Sequence, residues 1–235
     1  YIPERQSEGY GLNLEALEHI ISDGASLVIT VDCGISSYEI VEAIGDRIDI
    51  IITDHHTAPP QIPPARAVIN HKQPDCPYTD KNLSGVGVAF KLCQALWLRQ
   101  CGEWYLDDLD IVALGTVADV VPLVGENRII VQAGLKKMND LPNLGIDKLI
   151  DVAGLHDKTI TAGHIGFTLA PRLNAAGRVT HATRAVELLV TDDVDLAETI
   201  AQELQETNME RQEIERSIHE GARANVAAQG HLADY

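Results

Sequence analysis

Positive charge is scarce in these 235 residues: 18 Lys and Arg stand against 35 Asp and Glu, a formal net charge of −17. Polyanion-binding proteins normally show a basic excess, so the total taken alone argues against a nucleic-acid ligand. Aromatic residues are also few, at 4%, so any stacking on bases falls to a handful of rings. No apolar run reaches the roughly 18 residues that a membrane-spanning helix needs, and no signal-peptide pattern opens the chain. The four cysteines, Cys33, Cys76, Cys93 and Cys101, form no C-x-x-C pair. That spacing suits a reduced, cytoplasmic setting better than a disulfide framework or a zinc site. What is present is ordinary for a globular chain: 45% apolar and 23% charged residues, enough for one large domain or a domain with an appendage.

The charge is unevenly placed. Asp192 to Glu220 holds ten acids and two bases, a local −8, whereas Arg128 to Arg184 holds eight bases and four acids, a local +4. In the acidic stretch Leu196, Ile200, Leu204, Ile214 and Ile218 fall at helical spacing. This predicts a long helix with a solvated acidic face, beginning near the Asp192–Asp195 cluster, where carboxylates suit a helix N-terminus. The other end of the chain opens on Tyr1 and loop-like residues around Pro3, Gly9 and Gly11, which reads as a piece of a longer chain.

Asn13 is placed to cap a helix over LEALEHIISDG, which ends at Gly24. SLVITVD (Ser26 to Asp32), IDIIITD (Ile48 to Asp54) and ARAVIN (Ala65 to Asn70) read as strands, the first two apolar, β-branched and buried, with a short helix from Tyr38 to Ile44 between them. Strand, helix and strand in quick succession predict a parallel sheet. From Gly85 onward the pattern turns helical. The fold class is therefore α/β: a parallel β-sheet core with flanking helices, a helical C-terminal half and a long C-terminal connecting helix. Trp97 and Trp104 lie in apolar helical patterns and are assigned to the core, and Gly85 and Gly87 after Ser84 to close helix–sheet packing.

Both apolar strands finish on an aspartate. Asp32 closes VITVD, and Asp54 closes IIITD with His55 and His56 directly after it. Ligands of open α/β sheets bind beyond the carboxyl ends of the strands, so these groups should share one rim. Asp119 lies in apolar LGTVADVVPL, where a lone carboxylate is costly unless it meets a cation. Three carboxylates and two imidazoles in one place need neutralising. Mixed oxygen and imidazole donors suit Mn²⁺ or Mg²⁺, with Zn²⁺ still open, and bridging carboxylates suit two ions about 4 Å apart, as in phosphoester hydrolysis.

These motifs resemble a known family. Asp54-His55-His56 at a strand end, with VDCGIS before it and GTVADVVPL after it, is similar to the DHH phosphoesterase superfamily. YIPERQSEGYGLN, LSGVGVAFKLCQAL and PRLNAAGR (Pro171 to Arg178) narrow the resemblance to its RecJ branch of single-stranded-DNA exonucleases, over nearly the whole chain. The resemblance implies a Mn²⁺- or Mg²⁺-dependent enzyme that degrades single-stranded DNA from its 5′ end to mononucleotides, in repair and recombination. Asp32, His55 and Asp119 are then the metal ligands. His56 is the catalytic group against the scissile phosphate, with Asp54 orienting the imidazoles behind it. A helicase and a single-strand-binding protein are the implied partners, with no membrane.

The family's first motif, an Asp-rich D-x-D-G segment, is not found in the sequence, nor is the glycine-rich motif of a second domain. The resemblance therefore implies that these residues alone are inactive or weakly active. It divides them into a catalytic domain over 1–191, an acidic connecting helix over 192–222 and the start of a linker over 223–235. Within PRLNAAGR, read as a loop, Arg172, Asn174 and Arg178 are candidates to meet DNA phosphates, with His164 lining the same cleft and Arg5 clamping a 5′ phosphate. Two rival readings stand beside this one. One is a sister DHH enzyme acting on short oligonucleotides or cyclic dinucleotides; the other is a non-catalytic DHH-like replication scaffold.

Overall fold

The computed structural model describes residues 1–3, 8–179 and 182–229. Helix α1 (Leu14–Ser22) is capped as its sequence predicts: Asn13 Oδ1 accepts the Ala16 amide proton at 2.6 Å. Strand β1 (Leu27–Val31), helix α2 (Tyr38–Ile44), strand β2 (Asp49–Thr53) and strand β3 (Ala67–Ile69) follow. The three strands form a parallel sheet in the order β1-β2-β3, with Val31 opposite Thr53 and Thr53 opposite Ile69. This register brings all three carboxyl ends level, so Asp32, Asp54 and Asn70 leave the sheet side by side.

Helices α1 and α2 cover one face of the sheet through Leu17, Val41 and Ile44, which meet Ile48, Ile50 and Ile52. β2 is buried as expected, but β1 is not. Leu27, Ile29 and Val31 are 46%, 46% and 60% exposed. β1 is an edge strand, and its second face is only partly covered among the described residues; an apolar run records composition, not cover.

The helical half comprises α3 (Gly85–Cys101), α4 (Leu109–Ala118), α5 (Gly125–Asp140), α6 (Leu144–Val152), α7 (Ala162–His164), a π-helical turn (Ile165–Leu169), α8 (Ala170–Val179), α9 (Thr183–Val190) and α10 (Val194–Gln229). Leu83, Val88, Phe90, Val112 and Ile130 join this half to the sheet through Ile69. A larger cluster includes Met138, Ile146, Leu149, Ile165, Leu169, Leu188, Ile200 and Leu204.

Three further expectations change. PRLNAAGR is helix α8, not a loop, and Ala175 and Ala176 are fully buried in it. Small residues there let α8 pack tightly on α10, and alanine is the best helix former. Trp97 and Trp104 are exposed, with Trp97 lying 5.6 Å from the Tyr105 ring rather than in the core. The acidic helix runs from Val194 to Gln229, longer than 192–222. Asp193 caps it, accepting from Asp195 and Leu196 amides. Its first half is core, with Ala197, Ile200, Ala201, Leu204 and Asn208 buried, whereas residues 212–226 are exposed throughout.

Candidate metal centre

β1 delivers Asp32 in the left-handed region, with φ +61°. Aspartate tolerates that conformation better than most residues, and Thr30 Oγ1 fixes the turn by donating to Cys33 O at 2.7 Å. Gly34 has φ +109°, and a Cβ there would crowd Thr30 and Ile52. Helix α3 then closes on the aspartate: a Cβ at Gly85 would overlap the Asp32 carboxylate. The glycine-rich start of α3 is therefore close packing, as its sequence suggests, with Ser84 Oγ capping the Gly87 amide at 3.2 Å.

β2 delivers Asp54, which is buried and accepts four hydrogen bonds. Oδ2 accepts from the Ile35 amide at 2.9 Å, while Oδ1 accepts from the His55 amide at 2.7 Å, the His56 amide at 3.1 Å and His56 Nδ1 at 2.7 Å. Burial opposes its charge, but these bonds outweigh burial and hold its carboxyl below the usual carboxylate range. An ionised Asp54 makes Nδ1 of His56 the protonated nitrogen, which leaves Nε2 free for other contacts. Asp54 thus holds the His56 ring through Nδ1.

His55 is buried between two other carboxylates. Its Nε2 lies 3.1 Å from Asp32 Oδ1 and 3.5 Å from Asp119 Oδ2. These are ion-pair distances without hydrogen-bond alignment: among the described residues both His55 ring nitrogens lack a hydrogen-bond partner. Asp32 pushes the imidazole's pKa up, burial opposes this, and Asp119 adds to it. Asp119 ends α4 as its C-cap, and burial raises its pKa, with His55 opposing and Asp32 reinforcing. The ligand atoms of Asp32, His55 and His56 lie within 4.8 Å of one another. An orphaned buried nitrogen facing converging carboxylates fits a divalent cation, which would neutralise the acids and take up the nitrogen's lone pair.

The third strand end holds what sequence reasoning missed. Buried Asn70 donates through Nδ2 to His56 O at 2.9 Å and accepts the Lys72 amide at 2.7 Å. It ties the loop after β3 to the Asp54–His56 backbone. Lys72 is exposed, and its charge acts on His55, His71 and Asp119. His71 is buried with both ring nitrogens unpartnered, and burial chiefly lowers its pKa. The rule of strand ends that finds Asp32 and Asp54 points here too, through VINHK.

The candidate DNA contacts are more scattered. Arg172 is half-buried: Nε donates to Gln205 Oε1 at 2.7 Å and Nη1 to Thr168 O at 2.5 Å. Among the described residues no carboxylate pairs with it, and burial alone lowers its pKa. Asn174 is exposed on α8. His164 belongs to a capping box with Thr161, its Nδ1 accepting the Thr161 amide at 3.3 Å, so one ring nitrogen has a structural task. Arg5 and the Arg178 side chain lie outside the described residues.

The DHH family, N-terminal domain, matches residues 1–116. The chain is 43% identical over 233 residues to the single-stranded-DNA-specific exonuclease RecJ of Bacillus subtilis (strain 168), a match covering 98% of this chain and 29% of that protein. It is 42% identical over 231 residues to the RecJ exonuclease of Escherichia coli (strain K12), covering 92% and 40% respectively. A crystal structure of exonuclease RecJ bound to manganese superposes with TM-score 0.84 at 34% identity, over 93% of this chain and 55% of that one. RecJ of Thermus thermophilus in complex with Mn²⁺ superposes with TM-score 0.77 at 34% identity, over 88% and 31%. The chain spans 29% to 40% of the length of these two curated relatives. Motif order, sheet register and three-dimensional likeness agree, and the chain belongs to the DHH phosphoesterase superfamily, in its RecJ branch.

Proposed function

We propose that this chain is the core of a 5′-to-3′ single-stranded-DNA exonuclease that releases mononucleotides by two-metal phosphodiester hydrolysis in repair and recombination. The observation that carries the reading is His55 Nε2, buried between the Asp32 and Asp119 carboxylates at 3.1 and 3.5 Å without an aligned hydrogen bond. Asp32, His55 and Asp119 would hold Mn²⁺ or Mg²⁺, with His56 at the margin. Bound there, the ion supplies Lewis acidity toward the phosphodiester and the attacking water.

The chain's own residues do the rest. Asp54 fixes the His56 tautomer and ring, so that Nε2 can meet a phosphate oxygen and hold or pass a proton there. Asn70 holds the backbone that carries both imidazoles. Arg172, fastened by neutral groups, keeps its charge available to a phosphate. Lys72 adds a second positive charge beside the site.

The proposal keeps residues 1–191 as the catalytic domain, 192–222 as the connecting helix and 223–235 as the start of a linker. Within α10, which continues to Gln229, the side chains pass from buried to exposed near residue 209, which supports a connecting role for the outer part of that helix. An enzyme confined to single strands needs a helicase to unwind its substrate and meets strands coated by a single-strand-binding protein, so these are the proposed partners. The proposed setting is the cytoplasm, in keeping with four free cysteines and no described helix long and apolar enough to cross a membrane.

Calorimetric titration with Mn²⁺ tests the site. His55→Ala is expected to weaken binding by more than about tenfold, beyond the effect of losing an outer-shell partner at the low end. Equal affinity in the two proteins overturns the assignment. Placed in a protein that also carries the D-x-D-G segment, the same substitution abolishes release of mononucleotides from a 5′-labelled single strand.

A further inference from the structure

We propose that Phe167 is a stacking platform for an unpaired nucleobase at the rim of the metal centre. The inference rests on the single-strand reading above and adds the residue that would read a base rather than a phosphate.

Phe167 is 89% exposed, the most exposed large apolar side chain among the described residues. The chain has only two phenylalanines, and the other, Phe90, is in the core. Phe167 occupies the middle of the π-helical turn Ile165–Leu169, whose end residues are fully buried. Two residues from each of them, its ring points opposite to the face that anchors the turn. π-Helical turns are rare and concentrate at functional sites.

Its chain neighbours place it. Gly166 abuts α4, where a Cβ would stand 3.7 Å from Val117 Cγ1, and Val117 lies two residues before Asp119. On the other side, the Thr168 carbonyl accepts from Arg172 Nη1. One neighbour touches the helix that ends in the metal centre; the other holds an arginine that no described carboxylate neutralises. A strand whose phosphate meets Arg172 brings its next base to the level of the exposed ring. Every base has a π-face, so the contact is tolerant of sequence. A duplex keeps its bases stacked on one another and offers no such face, so the ring favours single strands.

The test compares two labelled ligands of equal length by fluorescence anisotropy, with Ca²⁺ as the only divalent cation. One is a DNA single strand, and the other is the same sugar–phosphate chain with abasic residues. Wild type is expected to favour the base-bearing strand by about tenfold or more, the range of a single base–aromatic stack. Phe167→Ala removes that preference and leaves abasic binding unchanged, whereas Phe167→Trp retains it. Since the ring is exposed, neither change threatens the fold. A base preference that survives in Phe167→Ala overturns the stacking role. Failure of wild type to bind either ligand instead overturns the single-strand reading beneath it. Sedimentation showing a dimer that Phe167→Ala dissociates would assign the ring to self-association and also overturn the proposal.

Discussion

Strain is concentrated beside the candidate metal-binding carboxylates. Asp32 and Val120 are the two described non-glycine residues with positive φ, at +61° and +58°, and Val120 directly follows Asp119. For a β-branched residue this region costs about 1–2 kcal/mol, and Val120 is too exposed to recover it by packing. Val120→Gly releases that cost and loses about 0.5–1 kcal/mol to extra freedom of the unfolded chain. The expected result is a net stabilisation of up to about 1 kcal/mol, read as a higher urea midpoint; a lower midpoint would show that the valine is held by something besides its turn. Asp54 responds in the opposite direction. All four of its hydrogen bonds need an acceptor, and Asp54→Asn turns one oxygen into a donor facing donors. A loss of about 2–3 kcal/mol is expected in chemical denaturation, the scale of a buried polar group left unsatisfied. Asp54 was legible as a candidate site residue, because a buried strand that ends in Asp-His-His has few bland explanations. The strain at Val120 was not, since valine is among the residue types that sequence reasoning would least place there.

Elements are held in register at their ends, and two ends make separate predictions. Asp80 lies far from α5 in sequence yet caps it, with Oδ2 accepting the Glu126 amide at 2.8 Å. That bond holds its carboxyl below the usual range against the opposing effect of burial, with further help from Asn82. Asp80→Ala should cost about 1 kcal/mol at neutral pH, the usual size of a lost helix cap. Because the folded pKa is depressed, the contribution is complete above the ordinary carboxylate pKa and disappears as pH falls through the lower folded value. Wild type and Asp80→Ala should therefore converge in stability only in strong acid; a difference that persists there would locate the effect in packing. At the other end, Gly85→Ala improves helix propensity in α3 but places a methyl group in the space of the Asp32 carboxylate. Mn²⁺ affinity should fall while the far-ultraviolet spectrum stays helical, and unchanged affinity would mean that Asp32 can ligate from another rotamer. Strand and helix periodicity gave most elements within a few residues, and the strand-end rule placed Asp32 and Asp54 correctly. It could not show that β1 is an edge or that Trp97 is exposed. Those facts depend on which surfaces meet, and a one-dimensional pattern does not contain them. Asn70 and Lys72 escaped notice because asparagine and lysine after a short strand look like any turn.

At the scale of the whole molecule, the proposed function asks a chain of formal charge −17 to hold a polyanion. Its distribution resolves much of the conflict. The stretch from Asp192 to Glu220 supplies −8, and beyond residue 212 the helix that carries it is exposed through Val226. Asp32 and Asp119 are the charges that a divalent cation would offset, and Asp54 is satisfied by its own hydrogen bonds. The cations available to a strand are few: Lys72 beside the site, Arg172 on α8 and, from sequence, Arg178. Three phosphate contacts predict a slope of log K against log salt of about −2 for single strands, well short of a strongly basic binder. Stacking on Phe167 releases no counterions, so it should persist as salt rises and make up a growing share of the affinity. Anisotropy titrations between about 50 and 200 mM salt can measure this, with Arg172→Ala expected to flatten the slope by about 0.7. A slope steeper than about −5 would require phosphate contacts that Lys72, Arg172 and Arg178 cannot supply, and would place the strand on a different face of the protein.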